Sequence, residues 1–421
     1  MGVLRVVECY SRSVSHGAAE IGGSQDAVEQ LLTEMPQALS TYGTPSHRLE
    51  EAMGLCAAKM GVQAEFFSMP TAVLCSIGSG EAMRTHIVRV MPGDVNLEKL
   101  DRVDDVLGKV FRRRVTAAEA LAEVREIRAA PVRYAGWMTV VSCGIAAACA
   151  ARFFGGAWVD AAAASAIGLI VGVFAMIASR RRQVSRVTDF ASGFVAAALA
   201  NLLTRVDGGL TPSVVTIASV IVLVPGLTLT VAINELATRN LVAGTSRLMG
   251  ALMIFLSIGF GVGIGQALTA GLAAAGEADV PMPAWSQALA IAVVPFALTV
   301  LFRARPRDIV VIVPAAAIGY YVSRLGATWA GPEIGAFVGA IAVGLYANGY
   351  SRVSRRPTAI TMVPGLMMLV PGSIGFRSVS SFLADDVLAG VETAFLMVMV
   401  ATAIVTGLLL ANVLLASKQS L

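Results

Sequence analysis

The sequence predicts an α-helical polytopic membrane protein, with about ten transmembrane helices as two inverted five-helix repeats, preceded by a small α/β cytosolic domain. Three observations carry this. Hydrophobic residues make up 56% of the 421 and charged residues only 14%, and mean hydropathy is +0.73, too apolar for a soluble protein. Charge has ordinary density in residues 1–130 but from Tyr134 onward is confined mostly to short loops. The tetrapeptide Leu223-Val224-Pro225-Gly226 recurs letter for letter as Leu369-Val370-Pro371-Gly372, with a shorter copy at Val363-Pro364-Gly365.

Residues 1–25, rich in Ser and Gly, read as a disordered start. Their first 20 lack the long apolar run of a signal peptide. Residues 26–130 form the cytosolic domain. Val28, Leu31, Leu32, Met35 and Leu39 recur at helical spacing, and so do Leu49, Met53, Cys56 and Ala57. The turn between them is Tyr42-Gly43-Thr44-Pro45, where Thr44 is placed to cap the second helix with Pro45 at its first position. Strand-like runs follow at Gln63–Met69, Ala72–Ile77 and Met83–Met91, then helices over Asn96–Val110 and Thr116–Ala130.

From Tyr134 apolar segments approach the roughly 20 residues that a bilayer requires. They are 134–154, 158–178, 188–204, 211–236, 248–273, 285–302, 308–325, 331–349, 358–383 and 393–416, grouped as membrane units 131–275 and 276–421. Alternate loops hold fifteen basic residues: Arg128, Arg133, Arg180, Arg181, Arg182, Arg186, Arg239, Arg247, Arg303, Arg305, Arg307, Arg352, Arg355, Arg356 and Lys418. The opposite loops hold only Arg152, Arg205 and Arg324, together with the acidic Glu277-Ala278-Asp279 and Asp385-Asp386. This positive-inside bias puts the N-terminal domain and the C-terminus in the cytoplasm of a multi-pass cell-membrane protein.

An offset of 146 carries Leu223–Gly226 onto Leu369–Gly372 and Ala243-Gly244 onto Ala389-Gly390. Three residues off that register, Phe194-Val195 resembles Phe337-Val338. Five helices is an odd number, so the second unit enters from the opposite side. Pro removes a helical hydrogen bond and Gly frees the backbone, so each Pro-Gly reads as a break. In hydrocarbon a break survives only where protein or a water-filled cavity covers it. Each break can begin a half-helix whose free N–H groups and positive dipole end face the membrane centre, a setting suited to a carboxylate. The plainer reading is a kink that improves packing.

The chain resembles the threonine/serine exporter family, whose members pair an N-terminal cytosolic domain with two five-helix membrane units. The resemblance rests on Gly43-Thr44-Pro45-Ser46-His47-Arg48-Leu49-Glu50-Glu51, on Leu223-Val224-Pro225-Gly226 followed by Gly244-Thr245-Ser246-Arg247-Leu248, and on Leu369-Val370-Pro371-Gly372-Ser373-Ile374-Gly375-Phe376-Arg377-Ser378. It covers nearly the whole chain from about residue 26. It implies export of small polar amino acids, driven by the proton gradient or the membrane potential. Relatives split into two polypeptides are linked to dicarboxylate export.

The expected substrate-binding residues are Pro225, Gly226, Pro364, Gly365, Pro371, Gly372 and Arg377. Arg377, in the ninth span, could pair with a substrate carboxylate or snorkel to the outer interface. Candidates for a proton or a substrate ammonium are Asp189, Asp160, Asn234 and Glu235. Thr188-Asp189 is also an ordinary helix cap; Asp160, beside Trp158, reads as interfacial; Asn234 and Glu235 fall near the inner surface as gate residues or a solvated helix end. Asn201 reads as an interhelical hydrogen-bonding residue. In the cytosolic domain His47, Arg48, Glu50 and Glu51 share a helix, and His47 and Glu51 lie one turn apart. No nucleophile signature accompanies them, so a structural or regulatory role is expected over hydrolysis. Arg180-Arg181-Arg182 reads as a topology anchor.

Five scattered Cys argue for free thiols, and three separated His give no metal site. No cofactor and no nucleic-acid partner are expected, since the net charge of +4 sits beside apolar spans. The expected partners are the lipid bilayer and a small-molecule substrate (threonine, serine or a small carboxylate), with a homo-oligomer left open. The readings are an exporter of small amino acids, an exporter of dicarboxylates, and a membrane-anchored hydrolase acting through the N-terminal domain.

Overall fold

The computed structural model describes residues 25–91, 93–181, 185, 187–272, 279–369, 374–376, 378, 381 and 386–416. The N-terminal domain opens with α1 (Gln25–Thr41) and α2 (Ser46–Lys59), continues through β1 (Ala64–Met69), β2 (Ala72–Ile77) and β3 (Arg84–Arg89), and closes with α3 (Leu97–Phe111) and α4 (Ala117–Ala129). The strands form an antiparallel meander in which Cys75 sits opposite Phe66 and His86. Val73, Cys75 and Ile77 alternate inward from the central strand onto a core shared with Leu31, Met35, Leu39, Met53, Val106 and Val124. Asn96 caps α3 by accepting from the Lys99 N–H, and Thr116 with Glu119 closes a capping box on α4. At α2 the cap is Pro45 with no side-chain bond, so Thr44 does not fill the expected role. Cys56, Cys75, Cys143 and Cys149 are free and buried.

The chain then becomes helical: α5 (Gly136–Phe153), α6 (Trp158–Arg180), α7 (Thr188–Leu203), α8 (Pro212–Val220), α9 (Gly226–Ala237) and α10 (Leu241–Thr269). After these come α11 (Trp285–Leu301), α12 (Ile309–Ala330), α13 (Pro332–Ser354), α14 (Ala359–Met367) and α15 (Val387–Leu414). Six of them, α5, α6, α10, α12, α13 and α15, are long and apolar enough to cross a membrane, and α7, α9 and α11 are shorter apolar helices. The protein is therefore a multi-pass membrane protein. Two helices begin earlier than the sequence suggests. α10 starts at Leu241 rather than 248, because Arg247 rides inside the helix with its charge paired to Glu235. α15 starts at Val387 rather than 393, its first turn capped by Asp386 accepting from the Ala389 N–H.

α7 packs on α10, and α13 on α15. At both contacts a glycine of the later helix approaches a carbonyl of the earlier one. A Cβ on Gly265 would come within 2.6 Å of the Phe194 oxygen, and one on Gly407 within 2.5 Å of the Phe337 oxygen. Both pairs also share a polar clasp, Asn201 Nδ2 to Thr269 Oγ1 and Asn348 Nδ2 to Asn412 Oδ1, each at 2.9 Å. Small residues let helices approach where burial of apolar surface from water supplies no driving force, and interhelical amides add modest stabilisation. Asn201 thus takes the interhelical role that its sequence context suggests.

The N-terminal domain sits on the loops that carry the Arg residues. The Leu97 and Glu98 N–H groups donate to the carbonyls of Phe302 and Arg303, at 3.0 and 3.2 Å. Arg305 pairs with Asp101 at 2.8 Å, and Arg356 bridges Asp101 and Asp308 at 3.0 and 2.6 Å. At the other end of the helices Trp158 and Trp285 pack with ring centroids 5.9 Å apart and planes tilted by 42°. Both are exposed, as are Trp329 in the last turn of α12 and Trp137 at the domain end of α5. Exposed Trp at helix ends suits the two bilayer interfaces.

Candidate functional site

The fourth apolar segment is broken. α8 stops at Val220, residues 221–225 are unwound, and α9 starts at Gly226 with Pro225 as its N-cap (φ −81°, ψ 44°). The cause is local. Pro225 has no N–H to continue the ladder from α8, and its ring excludes the α-helical turn before it. The chain turns instead through a Gly226 N–H donating to the Val224 carbonyl at 2.8 Å, and the new helix begins as the Leu229 N–H donates to the Pro225 carbonyl at 2.9 Å. Thr230 Oγ1 donates to the Gly226 carbonyl at 3.1 Å and stiffens that first turn. The expected half-helix start is therefore present at Pro225-Gly226.

A cavity of about 520 Å³ runs along this break. Its walls take in the unwound segment, Leu227 and Thr228 from the first turn of α9, and α5 from Thr139 through Cys143 to Phe153. Asp94 and Arg303 lie at the end near the N-terminal domain, joined by an ion pair of 2.9 Å. Phe153 and Tyr320 lie at the other end, stacked at 5.6 Å, with the Tyr320 hydroxyl accepting from Arg324 at 3.1 Å. The first-turn N–H groups of a helix have no intrahelical acceptor, so the walls at Leu227 and Thr228 offer donors at a positive dipole end. Carbonyls of the unwound segment offer acceptors beside them.

Residues flanking the second tetrapeptide reach the same place. Met367 and Met368 line the cavity. Ile374 and Phe376 pack in one apolar cluster with Val224 and Leu229. Pro371, Gly372 and Arg377 lie outside the described residues, as do Arg182, Arg186, Asp385 and Lys418. Pro364-Gly365 differs from its expected behaviour. Both residues lie within α14, which runs unbroken to Met367, and they are buried. Gly365 is pressed against α12 and α13, where a Cβ would meet Val343 Cγ1 at 2.7 Å. Pro364 is the sixth residue of that nine-residue helix, so it forfeits the backbone bond to the Ile360 carbonyl one turn back, but the buried pair packs helices and does not line the cavity.

The acidic candidates separate. Asp160 is buried within the protein: Oδ2 accepts from the Ala157 N–H at 2.9 Å and Oδ1 from the Thr211 N–H at 2.7 Å. It caps α6 and anchors the start of α8. Asp189 is half-buried in the first turn of α7, whose N-cap is Val187, and it is not among the cavity residues. Asn234 is half-buried on α9. Glu235 has no exposed surface, so it is not a solvated helix end.

Glu235 instead joins the membrane part to the N-terminal domain. Its Oε1 accepts from the Ser46 N–H at 2.9 Å and its Oε2 from Arg247 Nε at 2.9 Å. The reason lies in α2. Pro45 cannot cap with a side chain, so the first N–H of that helix finds a carboxylate 189 residues away in sequence, where helix dipole and charge agree. Glu50 makes the second tie, accepting from the Ser68 N–H at 2.7 Å and from Asn240 Nδ2 at 3.1 Å. Burial, opposed by those two bonds, leaves its carboxyl above the usual range. His47 is pushed down to about 4 by burial and by Arg48. Its Nδ1 is buried with no hydrogen-bond partner among the described residues, and no ion pair there joins it to the exposed Glu51. Two of the sequence motifs thus meet at one contact.

The cavity includes residues that the sequence reading did not single out, Thr139, Thr228, Tyr320 and Asp94, and Arg303, which it counted only as a basic loop residue. Thr228 had a signal, since it falls in the first turn after a Pro-Gly break. For the others the signal is tertiary, and spacing along the chain does not carry it.

A family model described as "Putative threonine/serine exporter" matches residues 30–269, and one described as "Threonine/Serine exporter, ThrE" matches residues 287–414. Pheromone-regulated membrane protein 10 of Eremothecium gossypii is 28% identical over 364 residues, covering 83% of this chain and 48% of the relative. The protein of that name in Candida albicans SC5314 is 28% identical over 388 residues, covering 87% and 34%. Uncharacterized protein C7D4.12c of Schizosaccharomyces pombe is 27% identical over 361 residues, covering 82% and 47%. The chain thus spans about a third to a half of the length of these relatives. No solved structure matches it.

Proposed function

Because the chain belongs to the threonine/serine exporter family of membrane transporters, we propose that it exports small polar amino acids, threonine or serine, across the cell membrane, driven by the proton gradient or the membrane potential. The observation that carries this is the cavity along the Pro225-Gly226 break. An amino-acid zwitterion fits its two kinds of backbone group: the carboxylate on the N–H groups of Leu227 and Thr228, the ammonium on carbonyls of the unwound segment 221–224. Pro371, Gly372 and Arg377 enter the proposal from the sequence alone, as a second half-helix start and a cation for the carboxylate.

The inverted five-plus-five arrangement belongs to the same proposal. It is supported by the repeated tetrapeptide and by the matched contacts of α7 with α10 and α13 with α15, where Phe194 and Phe337 play the same part. The basic loops gathered against the N-terminal domain support a cytoplasmic position for that domain. Transport then consists of opening the cavity in turn past the Asp94–Arg303 pair and past the Phe153–Tyr320 stack. In the N-terminal domain a neutral, half-buried His47 without a nucleophile beside it supports a docking role over hydrolysis.

The test is export. Cells loaded with threonine-containing dipeptide, with and without the protein, are followed for extracellular threonine and serine. The expected result is faster appearance of threonine with the protein. No difference for either amino acid, with a clear one for succinate, would transfer the proposal to dicarboxylates.

A further inference from the structure

We propose that the polar cavity between the N-terminal domain and the second membrane unit is a separate binding site for a small zwitterion of the free amino-acid type, acting as a regulator. The cavity holds about 450 Å³ and lies between α3 and α4 on one side and the Arg305–Arg307 and Arg355–Arg356 loops on the other. It shares no residue with the Pro225 cavity.

The charge pattern argues for a ligand of both signs. Most charges on the walls are already paired: Lys109 with Asp105 and Glu123, Arg102 with Glu126, Arg305 and Arg356 with Asp101. Asp104 is left over. It is 5% exposed, it lines the cavity, and among the described residues its carboxyl has no ion pair or hydrogen bond. A buried carboxylate without a partner is costly. Burial, with Asp101 and Asp105 beside it, pushes this one up to about 7. Arg112 lowers it from a distance without pairing to it. On the rim Arg112 and Arg307 are exposed, and neither forms an ion pair among the described residues. The remainder is one buried anion facing two open guanidiniums, a complement for an ammonium and a carboxylate on one small molecule.

Its position gives the regulation. The basic wall consists of the loops that lead into α12 and α14, and Arg356 in that wall already ties Asp101 to Asp308. A ligand bridging Asp104 to Arg307 adds a further tie between the domain and the loop that leads into α12. Free amino acid in the cytoplasm would thereby adjust how the domain sits on the transporter.

The charge argument stands without the export reading; the choice of probe rests on it. Full-length protein in detergent is titrated with labelled L-threonine, and with inorganic phosphate and methylammonium as single-charge competitors. Two classes of site are expected, one lost in Pro225→Ala and the other weakened at least tenfold in Asp104→Asn and in the rim variant Arg307→Glu, which disturbs no core. Binding of threonine in one class, lost in Asp104→Asn and kept in Pro225→Ala, would uphold this site and count against the export reading. Threonine binding unchanged in both Asp104→Asn and Arg307→Glu, or a site that phosphate fills as well as threonine does, would overturn the proposal.

Discussion

Glu235 is a fully buried carboxylate that accepts from one cation and one helix N-terminus. Removing one partner of a buried pair leaves the other uncompensated, typically at a cost of about 3–5 kcal/mol. Glu235→Ala should therefore loosen α2 from α9 and speed hydrogen exchange in residues 46–49, whereas Glu51→Ala, on an exposed side chain, should leave it unchanged. His47 adds a pH dependence. Its folded value of about 4 lies below the ordinary 6.5, so the fold accepts the neutral ring. That contribution is complete above pH 6.5 and is lost as pH falls toward 4. At pH 5 the loss should be about 1–2 kcal/mol after allowing for partial exposure. Thermal unfolding at pH 7.5 and pH 5 should show a smaller drop in His47→Gln than in the unaltered protein; an equal drop would assign the acid sensitivity elsewhere. His47 and Glu50 were visible in the sequence as polar residues of one motif, and Glu235 as an acid near the inner end of the fourth apolar segment. That Ser46 would meet Glu235 was not, because a capping partner 189 residues away leaves no mark on local spacing.

At the scale of elements, two Pro-Gly pairs of identical composition behave differently. Pro225 ends one helix and starts another, whereas Pro364 sits inside α14. Pro364 follows five residues of α14 and costs it one backbone bond, yet the helix continues against α12 and α13, while Pro225 follows a helix that has already ended at Val220. Pro225→Ala should let α8 and α9 join, withdraw the free N–H groups of Leu227 and Thr228, and reduce export at least tenfold with normal amounts of protein in the membrane. Pro364→Ala should leave export within about twofold. Equal losses in the two variants would favour packing as the role of both. The break itself was legible because proline chemistry is local. The limits of α10 and α15 were not, because Arg247 and Asp386 are accommodated by a pair and a cap that sequence periodicity does not report.

For the whole molecule, two clusters of charge join the N-terminal domain to the membrane part, beside the Asp94–Arg303 pair and the backbone bonds of Leu97 and Glu98. One is Glu235 with Arg247 and Ser46; the other is Arg305 and Arg356 with Asp101 and Asp308. The Pro225 cavity runs from the Asp94–Arg303 pair at the domain end to the Phe153–Tyr320 stack. Arg counts anticipated which loops share a face, since the face against the domain carries Arg303, Arg305 and Arg356. They did not anticipate that these residues would bind the domain itself. We propose that Thr228 and its neighbours hold an amino acid at the break. The most direct measurement is alkylation of Thr228→Cys, in protein otherwise free of cysteine, by a small maleimide with and without threonine. Threonine and serine should slow the reaction at least fivefold while succinate leaves it unchanged. A rate indifferent to both amino acids, in a variant that still exports threonine, would place the substrate elsewhere and contradict the account.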